Sequence, residues 1–143
     1  MEKVTNILNR KESHFDYISP GCSLDEALCR MNCEGTDYLV VIDDDSRFIG
    51  VITEHDIATK AVLEKISLTK TLVRKLVNSN LPIASTEDTV EQCLQRMQRH
   101  HVRLLPVFEG FLFKGIVSAD DILREAASHR MEIFDENESK LAY

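Results

Sequence analysis

The sequence Gly50-Val51-Ile52-Thr53-Glu54-His55-Asp56 occurs a second time, with substitutions, as Gly115-Ile116-Val117-Ser118-Ala119-Asp120-Asp121. In each copy a short apolar run typical of a β-strand ends at a hydroxyl residue, and an aspartate follows three positions later. Each copy therefore predicts a junction at which a strand gives way to a helix. The recurrence indicates that one structural unit is written twice in the chain.

The similarity extends outward from these two motifs. The run from Ser23 to Met31 matches the run from Thr89 to Met97, and both begin with a good helix N-cap followed by apolar residues at helical spacing. Strand-like runs follow at 38–42 and 104–108, and each is close enough to the motif strand to form a hairpin. A shorter lead-in also recurs, with Val4, Ile7 and Leu8 matching Val73, Leu76 and Val77.

With one more short strand around Tyr17-Ile18 and around Pro82-Ile83, the predicted element order is β-α-β-β-α, twice. A unit of about 60 residues buries too little core alone, so the two units should pack together. We predict an α+β fold in which two repeats, related by a pseudo-twofold axis, pack small sheets against helices. The predicted division is 1–66 for repeat 1 with its N-terminal lead-in, 67–130 for repeat 2, and 131–143 for a C-terminal tail.

The composition narrows the class of protein. The chain of 143 residues carries a net charge of −7, which disfavours nucleic-acid binding because that needs clustered Lys and Arg. No apolar stretch is long enough to span a membrane, and we expect a cytoplasmic protein. The four cysteines (Cys22, Cys29, Cys33 and Cys93) have no CxxC spacing, and we interpret them as reduced, partly buried residues rather than as a metal site.

The motif itself has two interpretations. Thr53 with Asp56, and Ser118 with Asp121, have the spacing of a helix capping box, which needs no ligand. The same junction suits a nucleotide, because a helix N-terminus attracts phosphate and a carboxylate in its first turn can accept hydrogen bonds from two ribose hydroxyls. Gly50 and Gly115 would let the strand backbone approach such a ligand closely. Repetition in a matched context favours the binding interpretation.

Over residues 4 to 127 the sequence resembles a tandem pair of CBS (cystathionine-beta-synthase) domains, which commonly bind adenosine-containing ligands. The lead-ins, the helices at Leu24 and Val90, the strand from His101 to Val107 and the two motifs carry the resemblance. It implies that Asp56 and Asp121 hold ribose hydroxyls, and that Thr53 and Ser118 contact ribose or phosphate. It also implies contacts to adenine or phosphate from a further group: the backbone at Ile18 and Ile83, the apolar side chains of Val51 and Ile116, and the guanidinium of Arg103.

The chain departs from the family pattern at the position before each motif aspartate, which is often basic. His55 occupies it in the first repeat and carries charge only part of the time near neutral pH. Asp120 occupies it in the second repeat and would repel a phosphate. The two pockets should therefore differ in affinity, and we expect a phosphorylated nucleotide to favour the Thr53 and Asp56 pocket. For the second pocket there are two alternatives: it prefers a less anionic ligand, such as adenosine or S-adenosylmethionine, or it stays empty.

We find no catalytic motif in the sequence and expect no enzymatic activity. The leading hypothesis is a stand-alone regulatory module that binds AMP, ADP, ATP or S-adenosylmethionine in the cleft between the repeats and signals by conformational change. It would require no cofactor, form a homodimer, and act on a possible protein partner in trans. The alternative is a ligand-free dimerisation or protein-interaction scaffold whose motifs are only helix caps.

Overall fold

The computed structural model describes residues 2–10 and 15–127, so the predicted tail at 131–143 lies outside the described part of the chain. Two series of elements follow one another. The first series is α1 (Val4–Arg10), β1 (Tyr17–Ile18), α2 (Leu24–Glu34), β2 (Tyr38–Ile42), β3 (Phe48–Thr53) and α3 (Glu54–Leu63). The second is α4 (Val73–Leu76), β4 (Ala84–Ser85), α5 (Val90–His100), β5 (Leu104–Glu109), β6 (Leu112–Ser118) and α6, which is described over 119–127.

Both repeats have the predicted β-α-β-β-α order, and the α+β class is confirmed. Each contains a three-stranded sheet, in the order β1-β2-β3 or β4-β5-β6. In each sheet the short first strand is parallel to the second, and the second pairs antiparallel with the third in a hairpin. In the second repeat the short strand is Ala84–Ser85 rather than the predicted Pro82-Ile83, because Ala84 is the residue that pairs with Val107.

The second element of each repeat begins where the sequence predicts it. Ser23 caps α2 and Thr89 caps α5, and in both cases a reciprocal capping box with the third helical residue is present. These caps satisfy backbone N–H groups that the first helical turn leaves without partners. The apolar faces of α2 and α5 then pack on the sheets through Leu24, Ala27 and Met31, and through Cys93 and Met97.

The chain divides into two compact units that do not coincide with the order of the repeats. One unit is residues 15–81, and the other joins the N-terminal segment to residues 82 onward. In the contiguous unit, Val73 of α4 belongs to the same buried core as Ile18, Leu39 and Ile52. In the discontinuous unit, Val4 and Ile7 of α1 belong to the core formed by Leu105, Val107 and Val117.

The two matched lead-ins are therefore exchanged between the repeats: α1 packs on the sheet of the second repeat, and α4 packs on the sheet of the first. We call this arrangement crossed packing. The sequence-based division places α1 with the first repeat and α4 with the second, whereas each contacts the other repeat in the structure. Backbone hydrogen bonds secure this arrangement: the Val4 N–H donates to the Asp88 carbonyl at 2.9 Å, and the Val73 N–H donates to the Cys22 carbonyl at 2.8 Å. Sequence order cannot show this crossing, because an apolar pattern with i, i+3, i+4 spacing fits either repeat.

The described helices are all too short, or too polar, to cross a lipid bilayer.

Candidate functional site

The first motif lies at the junction of β3 and α3. Thr53 is the N-cap, and its Oγ1 accepts a hydrogen bond from the Asp56 N–H at 3.0 Å. The Glu54 N–H donates to the Asp37 carbonyl at 2.8 Å, which fixes the start of the helix against the start of β2. His55 is exposed, and Asp56 is half-buried. Within the described part of the chain, the Asp56 carboxylate has no hydrogen-bond or ion-pair partner.

The second motif, at the junction of β6 and α6, has a different hydrogen-bond pattern. The Asp121 N–H donates to Ser118 Oγ at 3.1 Å, and the Ser118 N–H donates to Asp121 Oδ2 at 2.9 Å. These two bonds form the reciprocal capping box that the first motif lacks. Arg124 Nη2 also donates to Asp121 Oδ1 at 3.1 Å. The Asp121 side chain is 6% exposed, so its carboxylate is held within the protein's own contacts.

Arg103 and Asp120, which the sequence analysis assigned opposite effects on a phosphate, contact each other. Arg103 Nη2 lies 3.0 Å from Asp120 Oδ1, and both side chains are largely exposed. The Arg103 carbonyl accepts the Ala119 N–H at 2.8 Å, as the Asp37 carbonyl does for Glu54 in the first motif. A surface ion pair of this kind is weak, so Arg103 can leave Asp120 at small cost.

The two isoleucines proposed to meet adenine do not occupy equivalent positions. Ile18 pairs with Val41 in β1 and is fully buried in its core, so only its backbone could face a ligand. Ile83 precedes β4 and is 52% exposed. The residue that corresponds to Ile83 is Tyr17, because Arg30 Nη1 donates to the Tyr17 carbonyl at 2.7 Å as Arg96 Nη1 does to the Ile83 carbonyl at 2.9 Å.

The apolar residues of the motif strands lie on both faces of their sheets. Ile52 and Val117 belong to the two cores, and strand alternation directs Val51 and Ile116 to the opposite faces. Val51 is fully buried and Ile116 is 2% exposed. Both side chains are therefore shielded from solvent. Val51 lies beside its hairpin partner Val40, and Ile116 lies beside Pro106.

The motif glycines are close to the chain's own lead-in segments. A Cβ atom on Gly50 would lie 2.3 Å from the carbonyl oxygen of Asn78 and 3.0 Å from Val77 Cγ2. At this crossing Val51 and Asn78 exchange two backbone hydrogen bonds of 2.9 and 3.1 Å. Gly115 has φ +153°, and a Cβ atom there would lie 3.4 Å from Leu8 Cδ2. Close approach explains Gly50, whereas the positive φ of Gly115 is itself a reason for a glycine there. The neighbours that the structure shows are the segment after α4 at Gly50 and Leu8 of α1 at Gly115.

Arg30, Arg96 and Arg124 are residues whose roles the sequence analysis did not identify. The signal for the first two was present, because they occupy the same position in the aligned helices. Arg96 also binds Asp88 at 2.8 Å. Burial alone would raise the pKa of the Asp88 carboxyl, but hydrogen bonds from Arg96 and the Ser85 N–H outweigh it and hold that pKa below its usual 3.8.

The cysteines differ in exposure more than the sequence analysis expected. Cys29 and Cys33 are exposed rather than partly buried, Cys22 is half-buried, and Cys93 is buried. Cys29 and Cys33 face solvent because the core side of α2 is occupied by Leu24, Ala27 and Met31. Across the described residues, no group of three or more His, Cys, Asp and Glu side chains could hold a metal ion.

Comparison with known proteins identifies the repeated unit. A family model described as the CBS domain matches the chain twice, over residues 5–62 and 73–128. A CBS domain-containing protein of Arabidopsis thaliana is 32% identical over 126 residues, which are 87% of this chain and 23% of the plant protein. A CBS-domain containing protein from Agrobacterium tumefaciens has a crystal structure with a TM-score of 0.80 at 24% identity, covering 85% of this chain and 91% of that one.

A homoserine O-acetyltransferase of Methanosalsum zhilinae is 28% identical over 109 residues, which are 76% of this chain and 21% of that enzyme. The chain thus spans less than a quarter of either curated relative. The likeness covers nearly all of this chain and only a small part of the longer proteins.

Proposed function

The chain belongs to the CBS-domain family, and we propose that it is a non-catalytic regulatory module that binds an adenosine-containing ligand. AMP, ADP, ATP and S-adenosylmethionine are the candidate ligands. The proposal needs no cofactor and no metal, because the protein has only to orient a nucleoside and respond to its presence.

The observation that carries this proposal is the state of Asp56. Its carboxylate stands in the first turn of α3, half-buried and without a partner in the described residues, while Thr53 already supplies the helix cap. A carboxylate whose oxygens are open to solvent, and not committed to contacts within the protein, is available to the hydrogen-bond donors of a ligand. The two adjacent hydroxyls of a ribose are a suitable donor pair, since each can donate to one carboxylate oxygen.

With a ribose bound at Asp56, the neighbouring residues would contact other parts of the same ligand. Thr53 Oγ1 is within reach of the same ribose or of a phosphate beside the N-terminus of α3, where the helix dipole favours an anion. His55 is exposed next to Asp56 and can add a positive charge when protonated. In the second repeat Ser118 and Asp121 occupy the corresponding positions and cap α6, and Arg103 is a nearby cation paired with Asp120.

Regulation would operate through a change in conformation that a homodimer partner or another protein detects. The ligand can shift such an equilibrium only by the difference in its affinity for the two states. Exposed apolar side chains on α3 and α6 offer surface for such a partner: Val62 and Leu63 are each 75% exposed and Leu123 is 61% exposed.

Calorimetric titration with AMP, ATP, adenosine and S-adenosylmethionine tests the proposal. We expect at least one of them to bind, and Asp56→Ala to abolish or strongly weaken binding while the fold is retained. Absence of binding by all four at millimolar concentration would refute the proposed function.

A second candidate function is a ligand-free dimerisation or interaction scaffold. The observation that favours it is the same set of exposed apolar side chains, combined with the fact that Ser118 and Asp121 form a complete helix cap by themselves. A thermal-shift assay with the nucleotide panel separates the two, because only a ligand of the native state raises the melting temperature by mass action. Light scattering at several protein concentrations would then measure self-association directly.

A further inference from the structure

The two motifs contain the same carboxylate but differ in what that carboxylate contacts. We infer that Arg124 closes the second motif by pairing with Asp121, so that the chain binds one adenosine-containing ligand, at Thr53 and Asp56. This inference rests on the proposed function and adds to it the number of sites, their location and the residue that decides between them.

The two carboxylates differ in their accessibility to a ligand. Asp121 Oδ2 accepts the Ser118 N–H at 2.9 Å and Oδ1 accepts Arg124 Nη2 at 3.1 Å, and the side chain is only 6% exposed. The carboxylate oxygens retain lone pairs, but a ribose could reach them only by displacing the guanidinium. Displacement would break a charge-assisted hydrogen bond to a buried group, which is stronger than a bond between neutral groups.

The first repeat lacks both of these contacts. Thr59 stands three residues after Asp56, where Arg124 stands relative to Asp121. A threonine cannot form an ion pair, so Asp56 keeps its carboxylate available to a ligand. The Thr53 N–H likewise makes no capping bond to Asp56, whereas the Ser118 N–H is bonded to Asp121.

Arg124 lies on the surface, where it can be replaced without disturbing the core. Its side chain is 77% exposed, and its hydrogen bonds to other described residues are the contact to Asp121 and a long 3.4 Å bond from Nε to the Asp120 carbonyl. Replacing it should therefore open the motif without removing core packing. The reciprocal exchange, Thr59→Arg, should close the first motif by the same geometry.

The test is isothermal titration of the full chain with adenosine and with AMP as probes. We expect one site per chain in the unmodified protein, loss of that site in Asp56→Asn, and no change in Asp121→Asn. Arg124→Thr should raise the stoichiometry to two, and Thr59→Arg should weaken the first site at least tenfold. Arg124→Lys, which keeps a cation at that position, is the conservative control and should remain at one site.

The outcomes separate the two proposals. Two sites in the unmodified protein, or loss of binding in Asp121→Asn instead of Asp56→Asn, would overturn the closure by Arg124 and leave the proposed function standing. A stoichiometry that stays at one in a folded Arg124→Thr protein would also overturn it. No binding of either probe by any variant, including Arg124→Thr, would overturn this inference, and the proposed function would be refuted with it only if ATP and S-adenosylmethionine also failed to bind.

Discussion

Gly50 lies where the chain crosses its own backbone, within hydrogen-bonding distance of the segment after α4. The Val51 and Asn78 backbones are joined there by two hydrogen bonds, and a side chain at Gly50 would collide with a carbonyl group that cannot move without breaking them. The glycine thus allows β3 to bind a fourth segment beside its sheet. A conformational signal that moved this segment would act directly on the strand that leads into Thr53 and Asp56.

Gly50→Ala tests the tightness of this crossing. The new Cβ atom would lie 2.3 Å from the Asn78 oxygen, and we expect the free energy of unfolding to fall by about 3 kcal/mol, at the upper end of overpacking costs. Gly21→Ala is the matched control in the same unit, because its Cβ atom would have no neighbour closer than 3.5 Å. Urea unfolding of both proteins measures the difference, and equal stabilities would contradict the assigned role of Gly50.

Asp56 and Asp121 should differ in their contribution to stability when no ligand is present. Asp121→Ala removes a capping bond and the contact to Arg124, and we expect a loss of about 1–2 kcal/mol. Asp56→Ala leaves the Thr53 cap intact because that bond uses the backbone N–H, so its cost should be below about 0.5 kcal/mol. Urea denaturation without nucleotide measures both, and the reverse order would show that Asp56 is the structural residue.

The buried thiol of Cys93 should make the free energy of unfolding depend on pH in the alkaline range. Its burial, and next the negative charge of Asp88, raise the pKa of the thiol from 9.0 to about 11. The folded state therefore favours the protonated thiol, so this stabilisation is complete below pH 9 and is lost as the pH rises through 11. Cys93→Ala lacks the titrating group, so the stability difference between the two proteins should narrow between pH 9 and 11. A constant difference across that range would contradict the raised pKa.

At the scale of elements, α1 and α4 show which parts of the fold could be predicted. The paired hairpins, α2 and α5 were predictable because strand runs, N-caps and helical spacing are local properties of the chain. The match between Val4 and Val73 was also visible in the sequence. Its spatial assignment was not, because the same short apolar pattern can pack on either core. The ion pair between Arg124 and Asp121 could not be predicted either, because an arginine three residues after an acidic residue can be solvated as easily as paired.

Val4→Ala and Val73→Ala test the crossed packing of these helices. Both valines are fully buried, and each substitution should cost about 2 kcal/mol from lost methyl groups and the cavity left behind. Val4→Ala should reduce amide-exchange protection in β5 and β6, and Val73→Ala should reduce it in β2 and β3. If each substitution instead affected the repeat beside it in sequence, the crossed assignment would be refuted.

At the scale of the whole molecule, the unit of residues 15–81 is continuous, and the other unit is interrupted by it. A fragment of residues 15–81 contains β1 to α3 together with α4. Val73 of α4 belongs to the core of this unit, and Asn78, two residues after α4, is hydrogen-bonded to Val51 of β3. A fragment of residues 1–66, of nearly equal length, contains the same sheet but lacks these contacts.

We expect fragment 15–81 to unfold cooperatively in urea at a higher midpoint than fragment 1–66, because only the first retains its complete core. Because the chain contains no tryptophan, circular dichroism and amide exchange are suitable methods to follow the unfolding of both fragments. Equal midpoints, or a more stable 1–66 fragment, would show that α4 contributes little to the first repeat.

The crossed lead-ins also impose an order on folding during synthesis. Helix α1 is translated before β5 and β6, the strands that cover Val4 and Ile7. Residues 15–81 can complete their core as soon as they are released, since domains generally fold as units and from the N-terminus. Until β5 and β6 have been synthesised, the apolar face of α1 lacks the core that covers it, and we expect chaperones to bind the nascent chain at that helix.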